Sequence, residues 1–368
     1  MSINVALVGC GRVSGHHVKA IQNNKNLKLL AISDIDSMRM ESLDIDVQVQ
    51  SYTNYHHMLE RHPDIQVVAI ITPSGMHFEH ALDMVKNYQK HVVIEKPIVM
   101  TPEQGHQLAS AAHASGVTIF PVHQYRFNRC VQRIKRAIDN DELGKVFLAT
   151  VRMRWCRPQS YYDRAPWRGT YALDGGCSTN QGIHHLDLLR YLNGEVKRVT
   201  AVMKTNGARI EVEDTVVALL EFENGAIGNV EITTAARPDD YESSLSVMGD
   251  KGLAMLGGAF TDKLLEFSPD PDQKALHSDH FQDAYGYGHN EIYQGVYDVL
   301  QGSGQPALTF ADGMKTIQLL HAIYASAEQN CWINVEDNIS SEKLGIIDEP
   351  LANLYRSPKN IQEHEQVV

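Results

Sequence analysis

Residues 2–122 repeat one pattern: an apolar run without alternation, a stop marked by glycine, proline or an acid, then a stretch of helical periodicity. The runs are SINVALVG at 2–9, Leu27–Ser33, Ile65–Thr72, the start of His91–Met100, and Val117–Val122. Uniform apolarity marks strands covered on both faces, and a helix after each run is the crossover that a parallel strand needs. The pattern therefore predicts a doubly wound parallel sheet over residues 1–122. Its strand ends, Gly9, Asp34, Thr72-Pro73, Glu95-Lys96 and Gln124, then fall along one carboxyl edge. Open sheets of this class bind ligands outside that edge.

The first stop is Gly9-Cys10-Gly11-Arg12-Val13-Ser14-Gly15-His16-His17, between a strand and a helix. Gly9 permits a tight turn and Gly11 lets a backbone approach a pyrophosphate. The helix start offers free amides and a positive dipole end to that anion. A glycine turn alone is weak evidence. The second run strengthens it, because it ends at Asp34, where a carboxylate accepts hydrogen bonds from an adenosine ribose and repels a 2′-phosphate. NAD is the cofactor expected, with Gly9, Gly11, Arg12, Val13 and Asp34 among its contacts. Thr72, Pro73, His77, Glu95, Lys96 and Gln124, at or beside the same edge, are further candidates. Lys96 lies between a strand and a proline, which holds it extended. It is either a surface charge after a strand or a cation aimed at a ligand.

Beyond Gln124 the pattern changes. A helix over Arg129–Asp139 and a long alternating strand, Val146–Trp155, precede a loop dense in arginine and aromatics, WCRPQSYYDRAPWRGTYALDGG. A helix over Ser178–Leu192 follows. Then come alternating segments at Val196–Lys204, Thr215–Phe222, Ile227–Thr234, Leu245–Met248, Leu253–Leu256 and Lys263–Phe267. Short turns between alternating strands predict an α+β domain with a large, open, mainly antiparallel sheet. Helices at Glu291–Leu300 and Ala311–Ala327 complete it. The expected division is 1–123 for the dinucleotide domain, 124–334 for substrate binding and oligomerisation, and 335–368 for a tail without an assigned role.

In the second half, Asn180 and His184 are four residues apart and are expected to share a helix face, with Asp187 three further on to orient the imidazole. His184-His185-x-Asp187 also suggests a metal site, but adjacent helical histidines diverge by about 100° and no second cluster has ligand spacing. No metal is expected. Guanidinium groups of the loop grip carboxylates or phosphates in pairs of hydrogen bonds, and its aromatic rings stack on sugars, bases or nicotinamide. Arg154, Arg157, Tyr161, Tyr162, Asn180 and His184 are the substrate candidates, with Lys96; Trp167 and Arg168 are placed with the cofactor.

At 368 residues, with 43% hydrophobic and 21% charged content, the chain is an ordinary soluble type of two-domain length. A net charge of −12 without a dense basic block argues against nucleic acid. No apolar run approaches the ~20 residues of a membrane span, and the N-terminus starts directly as a strand without a signal-peptide pattern. Five scattered cysteines fit a reducing compartment, so a cytoplasmic location is expected.

GCGRVSGHH, TPSGMH, EKP and the Asn180/His184 segment resemble, in order and spacing, the Gfo/Idh/MocA-type oxidoreductases. QYRFN at 124–128, the arginine loop at 154–176 and NQGIHHLDLL at 180–189 are similar to the UDP-N-acetylglucosamine-uronate 3-dehydrogenase branch. The resemblance implies NAD on the first domain, a nucleotide-linked uronic acid on the second, and Lys96 and His184 as the catalytic pair flanking the oxidised hydroxyl. Which of the two is the base stays open. It also implies a cis Lys96–Pro97 peptide and a homotetramer or homodimer. Many family members carry aspartate where this chain has Asn180. The alternatives are a dehydrogenase of the same fold acting on a free sugar, an inositol or another nucleotide sugar, and a non-catalytic NAD-responsive protein.

Overall fold

The computed structural model describes residues 2–358, which form two units, each made from separate segments of chain. The first comprises the chain through Val122, His289–Gly313 and the described residues from Ile347 onward; the second comprises His123–Gly288 and Met314–Ile346. Three consecutive blocks cannot express this interleaving. The last ten residues of the expected tail lie outside the described residues.

In the first unit, strands β1 (Ile3–Val8), β2 (Leu27–Ser33), β3 (Gln50–Tyr52), β4 (Val67–Ile70), β5 (His91–Ile94) and β6 (Ile119–Pro121) are ordered β3-β2-β1-β4-β5-β6. Every pairing is parallel. All four residues of β4 are buried, as its unbroken apolarity requires. The helix Pro102–Ser115 has the expected bounds because its ends are encoded: a Thr101/Gln104 capping box opens it and Gly116, at φ +66°, closes it. The edge strand β3 and the five-residue helix Ser37–Glu41 were not anticipated, since neither carries an apolar run of useful length.

Strand order reverses between β1 and β4, and the chain leaves β1 through Gly9. Its φ is +95°, and a Cβ there would lie 2.6 Å from the backbone carbonyl of Ile71 and 2.7 Å from the amide nitrogen of Thr72. Gly9 is therefore demanded by the protein's own backbone. Gly11 differs: the nearest atom to its would-be Cβ is the Ile71 oxygen at 3.9 Å. The turn is closed by Ser14, whose hydroxyl donates to the Gly11 carbonyl at 2.6 Å. It then enters the helix Ser14–Asn23, which has no side-chain cap.

The second unit holds β7 (Val146–Arg154), β8 (Val196–Lys204), β9 (Thr215–Phe222), β10 (Ile227–Thr233), β11 (Glu242–Gly249), β12 (Leu253–Gly257), β13 (Lys263–Phe267) and β14 (Ile333–Asn334). Their order is β13-β12-β11-β7-β10-β9-β8-β14. Neighbours are antiparallel except β7 and β10, which run parallel where the first strand of the unit is inserted between two meanders. The sheet is thus mixed, though mostly antiparallel. Alternation sorts its residues: Val216, Ala218 and Leu220 are buried, whereas Val202, Val217 and Leu219 are exposed, with Phe147 and Ile227. The helices Arg129–Asp139 and Ile183–Asn193 pack on the buried face. The helix Phe310–Gln329 is tied to β8 by the Ser326 hydroxyl, which accepts from the Ala201 amide at 2.9 Å.

One expected helix is two. Residues Cys177–Asn180 and Ile183–Asn193 are separate, broken at Gln181-Gly182. Gly182 is pressed against the sheet, and its Cβ would lie 2.8 Å from Ile232 Cδ1 and 3.0 Å from the Cys177 carbonyl oxygen. The shared helical face of Asn180 and His184 is therefore corrected. The two residues sit on either side of a break. Among the described residues no helix is long and apolar enough to cross a membrane.

The two glycines of the first turn separate by experiment. Gly9→Ala is expected to cost about 2–4 kcal/mol or to prevent folding. Gly15→Ala, at a helical position with nothing within 4 Å of the new Cβ, is expected to stabilise by about 0.5–1 kcal/mol. Urea denaturation measures both; equal effects would contradict the crossing at Ile71.

Candidate active site

The edge of the first sheet collects most of the sequence candidates. The Asp34 carboxylate receives the Cys10 amide at 2.7 Å and the Asp36 amide at 2.9 Å. It thus ties the glycine turn to the end of β2, a structural task in addition to the one expected of it, and each oxygen keeps a second acceptor direction. Arg12 is exposed and Val13 half-buried at the helix start. Thr72 and Pro73 end the β4 segment. The Thr72 hydroxyl contacts His80 Nδ1 at 3.0 Å, and the buried His77 ring bridges the Pro97 and Thr72 carbonyls at 2.7 and 2.9 Å. His77 thereby fastens the end of β4 to the segment after β5.

Lys96 follows β5, half-buried, and its amide donates to Glu95 Oε2 at 3.1 Å. The Lys96–Pro97 peptide is cis, as the resemblance implied. Glu95 is buried, and its Oε1 receives His17 Nε2 at 3.0 Å and His289 Nε2 at 3.4 Å. His17 and His289 had no role in the sequence reading. His17 lies within the turn motif, but nothing local in the sequence signals a partner 78 or 272 residues away.

This edge fits NAD. Gly11 leaves open space over the turn, the following helix presents an N-terminus without a side-chain cap, and a carboxylate stands at the end of β2. Gly9, Gly11, Arg12, Val13 and Asp34 would hold the dinucleotide's phosphates and ribose.

In the second unit, His184 stacks on Tyr125 with ring centroids 4.4 Å apart and planes 16° apart. His185 turns the other way, to the Ser243 hydroxyl at 2.8 Å, and burial lowers its pKa to about 4, so it is neutral at neutral pH. The two histidines diverge as helix geometry requires. Asp187 was expected to orient His184. Its oxygens are instead taken by Arg126, at 2.7 and 2.6 Å, and by the Thr316 hydroxyl at 2.9 Å. That expectation is corrected: the carboxylate fastens Gln124–Phe127, the segment carrying Tyr125, to the helix carrying His184. Burial alone would raise its pKa, but the charges of His123 and Arg126, the Arg126 hydrogen bonds and Arg190 hold it well below the usual range.

The arginine loop forms a ladder. Arg157 lies over the Trp155 and Tyr161 rings at 5.1 and 5.6 Å, and Arg168 lies over Tyr161 and Trp167 at 4.4 and 4.5 Å. The Tyr161 hydroxyl accepts from Arg168 at 2.6 Å and from Gln181 at 3.2 Å. Tyr162 turns to Thr234 at 3.1 Å, within the buried layer. The Asn180 amide donates to Asp174, and Arg157 to Asp240 at 2.8 Å. Arg154 stands apart from the ladder, bound to Glu231 at 2.6 Å and Glu242 at 3.2 Å. Among the described residues, the buried polar atoms without a protein partner include Gln124 Oε1, Trp155 Nε1 and Arg168 Nε. Such atoms are costly unless something else meets them. Trp155 was not among the site candidates.

Residues 3–123 match the family model of the oxidoreductase family with an NAD-binding Rossmann fold, and residues 131–255 match the GFO/IDH/MocA C-terminal domain. The chain belongs to the Gfo/Idh/MocA oxidoreductase family. It is an NAD-dependent dehydrogenase. A solved relative is the WlbA dehydrogenase of Bordetella pertussis in complex with NADH and UDP-GlcNAcA. It is 34% identical at a TM-score of 0.84, over 90% of this chain and 97% of that one. The corresponding WlbA complex from Chromobacterium violaceum is 32% identical at 0.83, covering 90% and 96%. Among curated relatives, the myo-inositol 2-dehydrogenase of Thermotoga maritima is 23% identical over 92% of this chain and its own whole length.

The Asp187 pair gives this family member a testable pH signature. A carboxyl depressed in the folded state stabilises above its unfolded pKa of about 4 and loses that stabilisation as pH falls. Asp187→Asn is expected to cost about 3–5 kcal/mol at pH 7, because Arg126 is left buried without its counter-charge. The deficit relative to the unmodified protein should shrink as pH falls below about 4. A deficit constant with pH in urea titrations would refute the ionised pair.

Proposed function

We propose that the chain oxidises the C3 hydroxyl of a UDP-N-acetylglucosaminuronate-type nucleotide sugar. The observation that carries this reading is the likeness, at 34% identity and over nearly the whole length, to a dehydrogenase solved with NADH and UDP-GlcNAcA. The ladder supports it: a cationic and aromatic surface with buried donors at Trp155 Nε1 and Arg168 Nε suits a ligand that is both anionic and ring-bearing.

In this reading His184 removes the hydroxyl proton. Lys96 hydrogen-bonds the same oxygen and stabilises its alkoxide character. A nicotinamide bound at the first unit would supply the acceptor for the hydride that leaves C3 as C3–O becomes a carbonyl. Tyr125 fixes the plane of the His184 imidazole by stacking, and Asp187 fixes Tyr125's segment through Arg126. Arg168, Arg157 and Tyr161 hold the anionic part of the substrate, while Trp167 and Gln124 contact the cofactor. Arg154 has a lesser share, since two carboxylates already hold it. The apolar residues exposed on the eight-stranded sheet, Val202, Val217 and Leu219, support a homo-oligomer.

A second reading has its own support: the curated relatives include inositol, levoglucosan and glucoside dehydrogenases. The two separate in a substrate panel followed at the NADH absorbance band. Turnover of UDP-N-acetylglucosaminuronate, with neutral sugars and inositols at least about 100-fold poorer in kcat/KM, is expected. The reverse order would establish the second reading. Lys96→Ala and His184→Ala should each lower kcat by at least about 10³-fold while leaving NAD affinity within a few-fold. Near-normal turnover in both variants would sink the catalytic pair.

A further inference from the structure

Glu95 receives three donors within the first unit, and the proposed reaction gives it no task. It is buried beside Lys96, with side-chain polar atoms of His17, Glu95 and His289 within 4.8 Å of one another. Both imidazole Nε2 atoms face Glu95 Oε1, a pure acceptor when ionised, so both carry hydrogen. His17 Nδ1 faces the Tyr293 hydroxyl at 2.9 Å, which can donate to it. A neutral His17 therefore satisfies both contacts. The Lys96 amide supplies a third donor, on Oε2. Three donors converge on one buried carboxylate, the arrangement that keeps such a group charged.

The donors come from separate elements. His17 lies in the helix that follows the glycine turn, His289 and Tyr293 in the helix Gly288–Leu300, and Lys96 at the end of β5. The other titratable groups nearby are His77, which feels the Glu95 charge, and His16, stacked on His289 at 5.9 Å. We propose that His17 and His289 are positioning residues for Lys96, acting through Glu95, whose carboxylate they orient and hold beside the lysine backbone. Glu95 thus couples the turn expected to receive the pyrophosphate to the lysine expected to meet the substrate oxygen. The consequence for catalysis rests on the role given to Lys96 above.

The test reads Lys96 itself. Reductive ¹³C-methylation and NMR titration follow its ionisation without substrate, the resonance being assigned by its loss in Lys96→Arg. In Glu95→Gln the midpoint of Lys96 is expected to fall by roughly half to one pH unit, because a neighbouring negative charge is gone. His17→Leu and His289→Leu should move it in the same direction, and His17→Gln, whose amide can still donate to Oε1, should restore most of the shift. In steady-state kinetics, kcat of His17→Leu should fall about tenfold with KM for NAD within about twofold, and the lysine limb of its pH profile should move to lower pH. A Lys96 midpoint unchanged in all variants, with only melting temperatures lowered, would overturn the proposal in favour of a purely structural cluster. Stoichiometric zinc in the purified protein, lost in His17→Leu, would overturn it in favour of a metal centre. If no sugar is turned over but the midpoint still shifts, the reaction reading fails and the positioning role stands.

Discussion

The crossing of the glycine turn over the end of β4 is the constraint on which the first unit depends. Residue 9 passes so close to the Ile71 carbonyl that no side chain fits, and only a positive φ carries the chain through. That crossing sits where strand order reverses, so one tight contact fixes the switch point and the direction of the helix behind the turn. Asp34 then ties the turn to β2 through the Cys10 amide, and His77 ties β4 to the segment after β5. The edge is rigid because backbone groups are fastened by buried polar side chains at successive strand ends.

The second unit solves its positioning problem with charge. Its key residues lie on a loop, a 3₁₀ turn and a broken helix, none of which is rigid by itself. Asp187 and Arg126 join two of these pieces, and burial makes that join all-or-none: each charge is tolerable only while the other is present. A second buried carboxylate, Glu213, does the same for the Gly175-Gly176 turn. It accepts from the Ser178 amide at 3.0 Å and from the Tyr324 hydroxyl at 2.7 Å, and a Cβ on Gly176 would collide with it. The Asn180 and His184 segments are thus held by polar anchors beneath them.

What was legible in the sequence follows from range. The parallel sheet was readable because each strand's burial is written in its own composition, and the helix Pro102–Ser115 because its caps are local. The placement of Gly9, Asp34 and Lys96 was readable because strand ends in this architecture fall on one edge. Asp187 was misread because i, i+3 spacing suggests a partner on the same helix, whereas a carboxylate buried with a guanidinium 61 residues away gains more from a two-point ion pair. The break at Gln181-Gly182 was invisible because its cause is the Ile232 side chain on β10. The recruitment of His289 to Glu95 depends on a contact 194 residues long.

Electrostatics narrows the choice among the arginines. Strand β7 and the loop after it supply five guanidinium groups, Arg152, Arg154, Arg157, Arg164 and Arg168, and a count of charges treats them as equivalent. Arg154 is held by Glu231 and Glu242, so an incoming anion would have to compete with two carboxylates for it. Arg157 is shared with Asp240, a weaker hold because that carboxylate is exposed. Among the described residues Arg168 has no carboxylate partner; it is held by aromatic faces and the Tyr161 hydroxyl, with Nε buried and unmet. A guanidinium held by π-faces keeps its full charge for a ligand, and its rotamer is already fixed, so less entropy is lost when the ligand arrives. In the proposed reading Arg168, rather than Arg154, is the cation that an anionic substrate or the cofactor's phosphates would engage first. The Trp155 N–H, buried on the same ladder, is the neutral donor best placed to add specificity.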